Sequence, residues 1–228
     1  MTGDGIRRID LKSLNNVRIK NERLLCFYNS IIYNGKVLSN DTYKDESKVK
    51  YYDVNELIAA KEGEAPAVTE LDIIQKQKIN FVLAKDGNVY TLESADNGCN
   101  IVKIKNDFTL EKVFANFQPA KGPYHSSPTI GMVASETENI IYLVSTDGAI
   151  YKYILGDSDS LKAPFIAAES GVSITAPLQL NQQSGELYVT YTEERKDESK
   201  IVVYSKDGKV LHTVDCGESV PSQILFNN

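Results

Sequence analysis

The residues best placed to do chemistry lie together in one short stretch, Lys121-Gly122-Pro123-Tyr124-His125-Ser126-Ser127-Pro128. An aromatic face stacks on a sugar ring and hydroxyls fix orientation, so Tyr124, His125, Ser126 and Ser127 form a candidate ligand-binding platform. Gly-Pro and Ser-Pro are also ordinary turn formers, and the same residues would serve equally as a packed turn. No catalytic or metal-binding set accompanies them. His125 and His212 do not fall into the His-x-x-x-His or Glu-paired arrangement of a zinc site. Gly156-Asp157-Ser158-Asp159-Ser160 alternates carboxylates as calcium loops do, but lacks the later glycine and bidentate glutamate of an EF-hand. The chain has no Gly-x-Ser-x-Gly elbow, Cys-x-x-Cys pair, P-loop or dinucleotide fingerprint. Catalytic residues, metal and cofactor are therefore all assigned as none, and any active site would have to be assembled from distant loops.

Cys26 sits in the apolar run Leu24-Leu25-Cys26-Phe27-Tyr28 and reads as a small buried hydrophobe. Cys99 and Cys216 fall in predicted turns, and this odd set builds no disulfide framework, which leaves the redox compartment open. Asn40-Asp41-Thr42 fits the glycosylation acceptor pattern.

Across 228 residues the composition is 42% hydrophobic and 25% charged with a formal net charge of −6, ordinary for one globular domain. The negative charge is spread along the chain and leaves no basic stripe for phosphates, which argues against nucleic acid as a partner. No apolar run approaches the ~20 residues of a membrane helix, so no membrane insertion by this chain is expected. Met1-Thr2-Gly3-Asp4 opens no signal peptide.

The elements that must position the candidate platform come from a repeat. Lys44-Asp45-Glu46-Ser47-Lys48-Val49 recurs as Lys196-Asp197-Glu198-Ser199-Lys200-Ile201. The strand that follows this charged turn recurs more widely, beginning at Ile6, Val49, Ile101, Ile150 and Ile201 at roughly 50-residue intervals, a blade-sized period. β-Branched and aromatic residues on both faces suit strands sandwiched between neighbouring sheets. A second strand precedes each at 36–38, 88–92, 140–144 and 186–191, and a first strand at 24–28, 79–83, 129–133 and 174–180. Fourth strands follow at 17–19, near 67–69, and at 113–117, 164–168 and 211–214. Asn34-Gly35, Asp86-Gly87, Asp147-Gly148, Ser184-Gly185 and Asp207-Gly208 supply hairpin turns. Pro177 is admissible in a first strand only because that strand is a sheet edge. Residues 57–64 predict one helical turn.

These residues resemble a β-propeller, with the Asp-Gly-x-[Ile/Val]-Tyr texture of Asp86 to Tyr90 and Asp147 to Tyr151 similar to YncE-like and quinoprotein-like blades. The texture also resembles the propeller region of Bacteroidota surface lipoproteins that carry PKD-like domains. The resemblance implies an all-β propeller of four-stranded antiparallel blades, about four complete with partial blades at both ends. The expected boundaries are a partial blade at 1–20, blades at 24–69, 78–117, 128–168 and 174–214, and a lone strand at 222–226. That arrangement is an incomplete propeller or a five-bladed ring, and the first reading makes the chain a fragment.

In such folds the turns between second and third strands share one face with the connections between blades. Here that face holds the 121–128 stretch and an excess of acids, and function most often lives on such loops. The expected function is a noncatalytic scaffold binding a protein, glycan or other ligand through this acidic face. Its place would be extracytoplasmic, on the cell surface, if the lipoprotein resemblance holds. The alternative is part of a propeller lyase, hydrolase or quinoprotein whose catalytic residues lie partly upstream.

Overall fold

The computed structural model describes residues 6–9, 16–19, 30–40, 47–64, 66–75, 80–120, 131–193, 198–221 and 224–226. The chain divides into two compact units, Met1–Lys78 and Ile79–Asn228.

In the first unit, β1 (Ile6–Ile9) and β2 (Asn16–Ile19) form an antiparallel pair with Ile6 opposite Ile19. A separate four-stranded sheet runs in sequence order through β3 (Ile31–Tyr33), β4 (Lys36–Ser39), β5 (Ser47–Asp53) and β6 (Thr69–Gln75). Asn34 and Gly35 both take positive φ, 46° and 73°, the two-residue hairpin geometry that asparagine and glycine tolerate. That turn sets Tyr33 opposite Lys36, so the first strand of this sheet is at 31–33. The expected segment 24–28 lies outside the described residues. The helical turn is α1 (Val54–Ala59), earlier than expected, because Asp53 caps it by accepting from the amides of Asn55 at 2.7 Å and Glu56 at 3.3 Å. Lys36 Nζ reaches the same carboxylate at 2.6 Å, and Leu57 buries against Tyr52.

The second unit stacks three sheets. The first is β7 (Val82–Leu83), β8 (Val89–Ala95), β9 (Gly98–Ile104) and β10 (Leu110–Phe117). The middle sheet is β11 (Met132–Ala134), β12 (Ile140–Val144) and β13 (Ile150–Ile154). In the last, β14 (Val172–Ile174) and β15 (Gln179–Leu180) both pair with β16 (Leu187–Glu193), followed by β17 (Ser199–Tyr204) and β18 (Val210–Gly217).

Strand β12 shows why these sheets stack. All five of its residues are buried, and because successive side chains alternate faces, Ile141 and Leu143 pack with Tyr90, Leu92 and Ile101 of the first sheet. Ile140, Tyr142 and Val144 pack the other way, with Val189, Tyr191 and Val202 of the last sheet. Apolar residues on both faces thus follow from burial on both faces. The outer strand β18, by contrast, is exposed along nearly its whole length.

The expected strands at 140–144, 150–153, 186–191 and 201–204 are present. Three expectations are corrected. Residues 164–168 form no fourth strand, and the middle sheet has three strands among the described residues. Asp157 caps a 3-10 turn at Ser158–Leu161, which drops Leu161 into the core, and Pro164 has no N–H to give a ladder, so only Ile166 bridges to Ile150. The expected first strand at 174–180 is two short strands, β14 and β15, with Pro177 between them. At the lone strand expected over 222–226, residues 224–226 carry no strand, and Ile224 N–H instead donates to Gln179 Oε1 at 2.7 Å.

Candidate functional site

In the second unit the connection that leaves β10 runs beside the β8–β9 and β12–β13 turns. The chain leaving β10 turns closely against the β8–β9 turn, where Gly98 has a φ of 120° and an added Cβ would fall 2.6 Å from the Phe117 carbonyl. Gln118 then ties both sheets: its side-chain amide donates to Asn97 O at 2.6 Å, and its carbonyl accepts from Thr146 N at 2.9 Å. Pro119 bridges Ser145. Ala120 N donates to Val144 O at 2.9 Å, and Val144 N donates to Gly131 O at 3.2 Å. The stretch from 121 to 130 thus leaves and returns at one residue, Val144, beside the β12–β13 turn. Tyr124, His125, Ser126 and Ser127 themselves lie outside the described residues.

Part of the acidity expected on the loops is committed to holding them. Asp147 Oδ1 accepts from the Ser145 hydroxyl and from Ala149 N at 3.0 Å, and these bonds, the hydroxyl first, hold its carboxyl below the usual aspartate range. Glu169 pairs with Lys200 at 3.0 Å, and Asp215 accepts from Gly217 N at 2.9 Å. In the first unit Glu64 accepts from Lys61 N at 2.7 Å. Asp41, Asp45, Glu46, Glu194 and Asp197 lie outside the described residues.

Other sequence features also resolve into structure. Asn40, the acceptor of the glycosylation pattern, is 3% exposed and donates to Gln75 Oε1 at 2.6 Å, which closes it to modification in the folded state. In the calcium-like stretch Asp157 accepts from Asp159 N at 3.0 Å and Asp159 pairs with Lys162 at 2.9 Å, so both carboxylates serve the 3-10 turn. Among the described residues no three His, Cys, Asp or Glu side chains gather as a metal site. Cys99 is not in a turn but on β9, buried, where desolvation first and Glu93 second push its thiol up to about 11. Of the repeated charged turn, Ser199 is buried and donates to Ser219 O, while Lys200 is half-buried on Glu169, so the end of the second copy is built into the last sheet.

Sequence reasoning missed the side-chain amides at the inner edges of the sheets. Gly131 and Ser135 bond toward β12, so the carbonyls of Met132 and Ala134 point off the free edge of β11. Asn80 Nδ2 takes the first at 2.8 Å and Gln182 Nε2 takes the second at 3.0 Å. Gln182 Oε1 also accepts from Glu136 N at 2.8 Å. These contacts satisfy a strand edge that has no strand partner among the described residues. On the opposite face a second pattern recurs, an acid beside a second-strand tyrosine: Tyr90 donates to Asp86 at 2.8 Å and Tyr188 to Glu186 at 3.2 Å. Burial, and then the Asp86 carboxylate, pushes the Tyr90 hydroxyl far above its ordinary value. Lys103 and Lys152 lie over the Tyr90 and Tyr142 rings, and Lys103 pairs with Asp86 at 2.9 Å. Acid and tyrosine within a few residues of a turn is the signal that would have found it.

Comparison with known proteins places this arrangement. The chain belongs to the family described as a domain of unknown function, DUF5074, which matches residues 1–227. Puromycin hydrolase shares the fold at 13% identity and a TM-score of 0.56, over 93% of this chain and 32% of that one. Prolyl oligopeptidase B from Galerina marginata aligns at 11% identity and a TM-score of 0.53, over 85% of this chain and 27% of that one. A catalytically inactive virginiamycin B lyase from Staphylococcus aureus, solved with quinupristin, aligns at 14% and 0.51, over 99% and 68%. This chain therefore spans about a third or less of the hydrolase and the oligopeptidase. No curated protein matches it. At such identities the likeness speaks to fold, and the sheets are the antiparallel blades of a β-propeller.

Proposed function

We propose that this propeller is a noncatalytic binding scaffold whose loop face takes a protein or glycan ligand, with Tyr124, His125, Ser126 and Ser127 as its platform. The observation that supports the reading is the double clamp on Val144, which holds Ala120 and Gly131, the described residues on either side of 121–130. Fixing the residues on either side removes part of the conformational freedom that binding would otherwise cost, which favours a binding role. The acids committed to neighbouring turns support a preformed surface in the same way. The YncE-like texture and the likeness to surface lipoproteins fit a role outside the cytoplasm, in contact with extracellular ligands.

Labelled protein applied to a printed oligosaccharide panel and to immobilised surface-protein fractions tests this. Wild type should bind saturably, and the Tyr124→Ala, His125→Ala double variant should lose about ten-fold in affinity with an unchanged melting temperature. Unchanged affinity in the variant would dismiss the platform. The competing reading, part of a propeller lyase, hydrolase or quinoprotein, draws on fold likeness alone and predicts turnover where the scaffold predicts none.

A further inference from the structure

We propose that the face of the last sheet carrying Tyr188, Thr190 and Ser199, turned away from the middle sheet, is a seat for a polypeptide segment, filled here by the protein's own Ser219–Pro221 and Ile224–Phe226, and that the same segment of a second copy can replace it. Three contacts read the segment's backbone. Ser199 Oγ donates to Ser219 O, Thr190 Oγ1 donates to Pro221 O at 3.5 Å, and Gln179 Oε1 accepts from Ile224 N at 2.7 Å. One contact reads a side chain: the Phe226 ring meets Tyr188 edge-on, centroids 5.0 Å apart. Ser199 and Thr190 are 3% and 2% exposed, so their hydroxyls need partners, and the segment's carbonyls supply them.

The seat therefore recognises a chain segment with an aromatic residue two positions beyond a donated amide, in the manner of backbone-reading peptide sites. Its present occupant is loosely held. Val220 and Leu225 stay 48% and 82% exposed, so little apolar area ties the segment down, and such elements open well below the global unfolding free energy. Gly217, with φ at 58°, stands where the segment leaves β18 and can change backbone direction at low steric cost. The sequence seen to fit the seat is this chain's own. A released segment from a neighbouring copy presents identical carbonyls, amide and ring, and reciprocal exchange closes a two-fold dimer.

A fluorescent synthetic peptide copying Glu218–Asn228, titrated into the full chain, tests the seat. Phe226→Ala in the protein loosens its own segment, and this variant should bind the peptide about ten-fold more tightly than wild type. Adding Gln179→Leu should cost about ten-fold, the loss of a half-buried acceptor, and a peptide lacking the aromatic ring should weaken similarly. Tyr188→Ala replaces Gln179→Leu should the latter unfold. Light scattering of concentrated wild type should show a dimer fraction that excess peptide returns to monomer. Peptide binding indifferent to Gln179, Tyr188 and the ring would overturn the seat. Peptide binding without any dimer in concentrated wild type would overturn the second copy as occupant.

Discussion

The middle and last sheets of the second unit solve one packing problem with different amounts of chain. The last has a complete second, third and outer strand, and β18 extends over Val210–Gly217 almost entirely in solvent. Among the described residues the middle sheet has no outer strand. Leu161 enters the core shared with the first sheet, Ile166 enters the core shared with the last, and Phe165 packs against Tyr142 at 5.5 Å. The difference teaches that the second and third strands carry the burial in this fold, while an outer strand is dispensable where a few apolar side chains cover the same ground. Stability arises where both faces are buried, since apolar area removed from water is the main favourable term.

Substitutions can break or sharpen that contrast. Leu143→Ala, at a residue 1% exposed on β12, should have the largest effect, about 3 kcal/mol in urea unfolding. Phe165→Ala should follow with about 2 kcal/mol, because its ring stands in for a missing strand and also receives Lys152 Nζ at 5.0 Å from its centre. A negligible loss there would mean that the middle sheet needs no replacement for its outer strand. Asp147→Ala should show its effect in pH dependence. The folded carboxyl lies below its ordinary value of about 3.9, so its contribution is present above that pH and is lost as pH falls through the folded value. The stability gap between wild type and variant should therefore narrow as pH is lowered from about 5 toward 2. Leu211→Ala on β18 should change stability by no more than about 0.5 kcal/mol. A larger loss would show that the outer strand is covered in solution. The thiols report the same contrast without energetic cost: at pH 8 a thiol reagent should modify Cys216 in the native protein and reach Cys99 only on unfolding.

The second and third strands were legible because their residues are apolar on both faces, as in Ile140-Ile141-Tyr142-Leu143-Val144, and because two-residue turns such as Asn34-Gly35 set their register. The first strands were poorly legible. Strands as short as Val82–Leu83 and Gln179–Leu180 show no period, and at β11 the free edge is served by distant amides, Asn80 and Gln182, that no local pattern predicts. The missing fourth strand of the middle sheet was misread because Pro164-Phe165-Ile166 is as apolar as a strand, while its pairing depends on where the preceding 3-10 turn sends the chain. Of the candidate site, the residue types were visible at Tyr124 to Ser127, and the anchorage on Val144 was not.

By itself, then, the sequence determined the all-β class, the blade-sized repeat and the strands buried on two faces, because alternation and β-branching act within a few residues of one another. Tertiary structure alone decided which acids are spent on turns, which edges are closed by side-chain amides, where a strand is replaced by three apolar side chains, and that one buried valine anchors both stems of a loop. Each of those depends on groups far apart in the chain, whose hydrogen bonds and contacts exist only after the sheets have stacked.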